Sequence, residues 1–149
     1  AWWALLLVGS IVLTLFVQSV CLHRYASHAA FTCGPVTHWF MMIVGCLANQ
    51  GGPIWWTATH RAHHKFCDTD LDPHSPRVDG VERAFAFFMV KVRVLKEFIP
   101  RHLQVSEALW ILDTWSFAVH SIEMLLSLYF GGPAALYVAY TSAWTCQVT

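Results

Sequence analysis

Apolar and polar positions along this chain fall into long blocks rather than alternating. Residues 1–22 (AWWALLLVGSIVLTLFVQSVCL) carry no ionisable side chain except the Cys21 thiol. At ~1.5 Å per residue, a helix of that length crosses the ~30 Å hydrocarbon layer of a bilayer. His23 follows at once, so the helix is expected to continue past the membrane surface and carry polar residues on its extension. Gly34-Pro35 then breaks the chain. Residues 36–50 (VTHWFMMIVGCLANQ) are apolar again, but they fall short of the ~20 residues a span requires, and an interfacial or half-buried helix is predicted. After Gly51-Gly52-Pro53 a polar helix is predicted from Trp55 to Phe66.

Asp68-Thr69-Asp70-Leu71-Asp72-Pro73-His74-Ser75-Pro76 is too dense in acids and prolines for a regular element and reads as a turn. Residues 81–106 mix Phe, Val and Leu with Lys and Arg, the composition of an amphipathic stretch in a membrane interface. Residues 107–130 form a second spanning segment, and Gly131-Gly132-Pro133 turns the chain into a third, 134–149. The predicted fold class is therefore all-α: an integral membrane helical protein forming one partial domain over 1–149. Residues 23–106 are its cytosolic or interfacial region.

Composition agrees with the pattern. Hydrophobic residues make up 56% and charged residues 12%, about half the ~25% charged share of a soluble domain. Net charge is zero with His neutral, so bulk charge names no partner and none of nucleic-acid type is expected. Charge distribution says more. All 9 Lys and Arg lie between Arg24 and Arg101, which places the central segment on the cytosolic or stromal side of the membrane. The 5 cysteines form no paired framework and show no C-x2-C metal spacing, so free thiols on a reducing side are expected. Asp113, His120 and Glu123 fall inside the second span and read as groups near its ends or on a protein-buried face. The chain opens at Ala1-Trp2-Trp3 without Met and stops at Thr149 within an apolar stretch. A fragment is expected.

The chemistry lies in two histidine clusters beside these apolar blocks, His23-x4-His28 and His60-x2-His63-His64. Neutral imidazole is a transition-metal ligand. On a helix, His63 and His64 are displaced from His60 by about 60° and 40°, so all three converge, and the adjacent pair can serve two metals. On an ideal helix His23 and His28 stand about 140° apart, so they chelate one ion only if the helix ends or distorts between them, and serving two different metals is the simpler arrangement. The two clusters together suggest a dinuclear centre, with zinc, iron and copper all open by ligand type. Lone histidines such as His38 and His102 read as hydrogen-bonded or surface residues.

HRYASH (23–28) and GGPIWWTATHRAHHKFCDTDLDPHSP (51–76) resemble the first and second histidine boxes of the membrane-bound acyl desaturases of the delta-9 or stearoyl-CoA desaturase-like family. The resemblance implies a helical membrane protein with a cytosolic or stromal di-iron site, in the endoplasmic reticulum, a plastid or a bacterial inner membrane. It implies His23, His28, His60, His63 and His64 as iron ligands, and Gln50 and Trp56 at the bend of an acyl tunnel. His74 reads as structural or supporting, and Asp68, Asp70 and Asp72 either as acids that fix ligand rings or as a solvated acidic turn. The implied reaction is O2-dependent desaturation of an acyl chain carried by CoA or a lipid, with electrons from cytochrome b5 or ferredoxin. Acyl-CoA members carry Arg-Asp just before the second box, where this chain has Ala58-Thr59, so lipid-linked chains stay open. A third box, H-N-x-H-H, is expected beyond Thr149 with the remaining ligands, and the chain as given is expected to be inactive alone. A di-iron acyl hydroxylase and a non-catalytic membrane metal-binding paralogue are the alternatives.

Overall fold

The computed structural model describes residues 2–85, 96–104 and 106–145, and among these it contains helices and turns but no strand. Helix α1 (Trp2–Phe16) does not end at the first cluster. It passes directly into a π-helical stretch, Val17–Ser27. Then follow α2 (Pro35–Gly45) with a 3-10 turn at Cys46–Ala48, and α3 (Pro53–Phe66). Proline at the first turn opens both α2 and α3, where its missing N–H costs nothing. The amphipathic stretch expected over 81–106 is described only in part, as α4 (Val81–Phe85), a 3-10 turn (Lys96–Phe98) and α5 (Arg101–Gln104). Residues 86–95 and 105 lie outside the described residues, as do the last four of the expected 134–149 segment.

The block expected as one helix over 107–130 is two. Helix α6 (Glu107–Thr114) stops at Trp115, whose φ of −100° and ψ of 17° leave the helical region. Helix α7 covers Ser116–Thr145 and is interrupted at Gly132, with φ 70° and ψ −171°. Only glycine adopts that conformation readily, and Pro133 has no N–H to continue the ladder. A straight helix would separate His120 from Tyr140 by about 30 Å. Instead both line one cavity of ≈ 560 Å³ with Asn49, Met124 and Leu136, so the chain folds back at Gly131-Gly132.

Packing is concentrated at one end. Cys21, Tyr25 and Ala26 of the π-helical stretch bury against Met41 and Met42 of α2, Ile54 and Ala58 of α3, and Phe98, Ile99, Leu103 and Leu109. A second buried group joins Val17, Leu22, Ala48 and Trp56. Each buried Leu, Ile, Val, Met or Phe among them contributes roughly 1.5–3 kcal/mol, so most of the core lies where the π-helical stretch, α2 and α3 meet. At the other end α1 packs along α7, yet their outer faces remain apolar and uncovered, with Leu125 65%, Tyr129 82% and Phe130 80% exposed. Two helical segments, Leu7–Ser27 and Ser116–Thr141, are long and apolar enough to cross a membrane by length and composition.

Asp113 ties the two ends together. Its Oδ1 accepts the backbone N–H groups of Ile54 at 2.6 Å and Trp55 at 3.0 Å. No side chain near Gly52 caps α3, so a carboxylate from α6 satisfies these amides and matches the positive end of the helix dipole. The approach is so close that a Cβ on Gly52 would overlap Asp113. Asp113 is thus a half-buried acid that holds the start of α3. Glu123 faces His120 one turn away at 3.5 Å and accepts from Ser127 Oγ at 3.4 Å.

Candidate metal centre

The π-helix changes the geometry of the first cluster. Its defining bond runs across five residues, and His28 N–H donates to His23 C=O at 3.1 Å. Residues five apart therefore stack on one face, and the ~140° separation expected of an α-helix does not apply. The His23 and His28 rings lie 4.6 Å apart. Assigning these two histidines to different directions was a consequence of assuming α-helical pitch. Ser27 follows the same repeat, its hydroxyl donating to Leu22 C=O at 3.0 Å.

Helix α3 brings the second cluster alongside. Arg61 Nη1 donates to Ser27 C=O at 2.8 Å, joining the end of the π-helical stretch to the middle of α3. His60 lies 4.8 Å from His23 and 5.5 Å from His28, centroid to centroid, and His64 lies 5.1 Å from His28. One nitrogen from each of His23, His28, His60 and His64 lies within 4.8 Å of all the others. The Nε2 atoms of His60 and His64 face each other at 2.9 Å. Two such nitrogens approach this closely only with one proton, or one cation, between them. Burial, then the neighbouring imidazoles His64, His23, His28 and His63, push the His60 pKa down to about 3. His64 is lowered by burial and by His28 and His63. Both are thereby kept as neutral donors, the form that binds a metal.

His63 belongs to a second group beside the first. Its Nδ1 donates to both carboxylate oxygens of Asp72, at 2.8 and 2.9 Å. Its ring stacks on His74 at 4.3 Å and 22°, and His63, Asp72 and His74 present ligand atoms within 4.8 Å of one another. Burial alone would raise the Asp72 carboxyl. The hydrogen bonds from His63 and from the backbone N–H groups of His74 and Asp68 outweigh it and hold the group below the usual carboxylate range. His64, with its ring 6.0 Å from His63, bridges the two groups. This donor set of imidazoles, with one carboxylate at its edge, suits a borderline metal such as iron or zinc. His23, His28, His60 and His64 could hold one ion, and His63 could contribute to another.

Gln50 and Trp56 sit next to this centre. The Trp56 indole stacks on His60 at 4.7 Å and 15°, and its Nε1 donates to Gln50 Oε1 at 2.7 Å. Gln18 Nε2 donates to the same oxygen at 2.9 Å, and Gln50 is only 4% exposed. The three side chains form a buried wall beneath His60. The two lone histidines stay outside it: His38 Nδ1 pairs with the Tyr25 hydroxyl at 2.8 Å, and His102 packs against the Tyr25 ring. Sequence reading passed over Arg61 and the role of Asp113. The π-helix was signalled by the H-x4-H spacing itself, which matches its five-residue hydrogen bond.

Fold and site together define a helical polyhistidine protein, with ligands from two neighbouring helices converging at one end of an apolar bundle. Comparison with known proteins makes the class specific. A family model for fatty acid desaturases matches residues 1–148. The chain is 32% identical over 136 residues to an acyl-CoA 5-desaturase of Anemone leveillei, covering 87% of this chain and 42% of that protein. It is 46% identical over 70 residues to the chloroplastic palmitoyl-monogalactosyldiacylglycerol delta-7 desaturase of Arabidopsis thaliana, covering 47% and 19%. It is 48% identical over 52 residues to an sn-1 stearoyl-lipid 9-desaturase of Anabaena variabilis, covering 35% and 19%. The chain belongs to the fatty acid desaturase family, and it spans less than half the length of these relatives.

Proposed function

We propose that this chain is the part of a membrane acyl desaturase that carries its first two histidine boxes and half of a di-iron centre. The observation that carries the reading is the convergence of His23, His28, His60 and His64, from two helices, within 4.8 Å. The reaction is removal of two hydrogens from adjacent methylenes of an acyl chain, with O2, two electrons and two protons giving a cis double bond and two waters. The chemistry that a bound iron pair supplies is O2-driven oxidation of an unactivated C–H bond, which no side-chain acid or base achieves. This chain's residues present neutral imidazoles, keep His60 in place through the Trp56 stack, and close the wall below it through Gln50. The remaining iron ligands lie on a third box outside residues 1–149.

The substrate is an acyl chain on CoA or a glycerolipid, since relatives of both kinds match and Ala58-Thr59 replaces the Arg-Asp pair of acyl-CoA members. The apolar outer faces of α1 and α7 then sit in lipid. All 9 Lys and Arg lie between residues 24 and 101, which supports a cytosolic or stromal side for the histidines. Cytochrome b5 or ferredoxin delivers the electrons. The test is metal and product analysis of the full-length protein with a reducing partner and O2. About two irons per chain and an alkene product are expected. An alcohol as sole product makes it a hydroxylase, and zinc or no metal makes it a binding paralogue.

A further inference from the structure

The acidic turn after α3 is more ordered than a solvated loop requires, and its order converges on one carboxylate. Asp72 is 6% exposed. Oδ1 accepts the His74 N–H at 3.1 Å, and Oδ2 accepts the Asp68 N–H at 2.9 Å. Asp68 in turn accepts from the Ser75 hydroxyl at 2.7 Å, and Ser75 Oγ accepts the Arg77 N–H at 3.3 Å. Each Asp72 oxygen thus already takes a backbone donor, and both point their remaining lone pairs at His63 Nδ1, at 2.8 and 2.9 Å. A carboxylate only accepts, so Nδ1 must carry a proton, and in the metal-binding form of the ring that proton is its only one. Its Nε2 is left as a bare lone pair. Asp70, one of the three acids expected to serve this purpose, is exposed and has no such contact with His63.

We infer that Asp72 is a positioning residue that locks His63 in the Nδ1–H tautomer and so arms Nε2 as a metal donor, the turn 66–77 being the scaffold that holds the carboxylate. The inference rests on the reading of the histidines as metal ligands and adds which acid acts, on which ring, and through which nitrogen. His74, carried on the same turn, stacks on the ring and limits its rotation. Replacing Asp72 by Asn puts an NH2 group in place of one oxygen, where it meets a backbone N–H and His63 Nδ1 together. Donation from that NH2 to Nδ1 reverses the tautomer and places a proton on Nε2, where the metal would bind.

The experiment uses the full-length protein in detergent, metal-depleted, with 15N-labelled histidine. In the wild type the His63 nitrogen shifts are expected to report Nδ1–H. In Asp72→Asn they are expected to move toward Nε2–H. Cobalt(II) titration is expected to show one site weakened roughly 10–100-fold, the range for lost outer hydrogen-bond partners of metal-bound histidines. Glu82→Gln, which removes an exposed charge elsewhere, is expected to leave both readouts unchanged. An Nε2–H tautomer in the wild type overturns the inference without any variant, as does cobalt binding by Asp72→Asn equal to that of Glu82→Gln. If the wild type binds no cobalt, the metal-centre reading fails, and the nitrogen shifts alone decide the role of Asp72.

Discussion

The two ends of this molecule use apolar residues in opposite directions. At the histidine end Leu22, Met42, Ile54 and Leu103 are fully buried, and polar side chains such as Gln50, Asp72 and Ser27 are buried with partners. At the other end Leu125, Tyr129 and Phe130 point outward, while His120 and Ser116 are the buried groups. Inward burial is what water imposes, because apolar area is expelled from it. An outward apolar face is stable only where the surroundings are themselves apolar. The difference teaches that the histidine end is organised by hydrogen bonds and close packing, and the other end by what surrounds its apolar faces.

The comparison can be broken first at its centre. His60→Ala in the full-length protein removes the ring that touches His23, His28, His64 and Trp56. Product formation is expected to fall to background with loss of roughly one iron per chain, read by gas chromatography and metal analysis. Normal iron content would remove His60 from the site. At the apolar end, Leu125→Arg sets a charge on the outward face and is expected to cost about 2.5–3.5 kcal/mol on insertion, seen as loss of protein from the membrane fraction. An unaffected membrane fraction would place that face in water.

Smaller effects probe the link between the ends. Asp113→Ala strips two amides of α3 of their acceptor and is expected to cost about 1–2 kcal/mol, measured as a lower thermal midpoint by circular dichroism in detergent. Gly52→Ala, which drives a methyl into the same carboxylate, is expected to cost about 1–3 kcal/mol. Acidification acts on the metal-free protein in a defined window. The folded-state pKa of His60 lies near 3 and its ordinary value is 6.5, so between these values the unfolded chain binds the extra proton. Stability is expected to fall as pH drops from 6.5 toward 3, and a pH series of denaturation curves checks the slope. Trp56→Phe keeps an aromatic face for His60 but deletes the donor to Gln50, and is expected to cost about 1 kcal/mol.

Much of this was legible from residue order because the signals were local. The apolar blocks, the Gly-Pro punctuation and the two histidine boxes each sit within a few residues, and the desaturase resemblance drawn from residues 23–28 and 51–76 agrees with the family match over 1–148. Less legible was the pitch that carries the first box. H-x4-H was read against an α-helix, and a π-helix turned two diverging rings into neighbours. The acids were left undivided in the same way: three aspartates in one turn look alike until Asp72 is found bonded to His63 Nδ1.

Residue order by itself determined that this chain is helical, apolar at its ends and rich in imidazole at two points, because hydrophobic runs and ligand types are properties of short segments. Tertiary structure decided which imidazoles meet, which acid steadies them, and that a carboxylate of α6 starts the helix bearing the second box. Those outcomes depend on hydrogen bonds between residues such as Asp113 and Ile54, 59 positions apart. Directional contacts of that kind arise only when packing brings separate segments within about 3 Å.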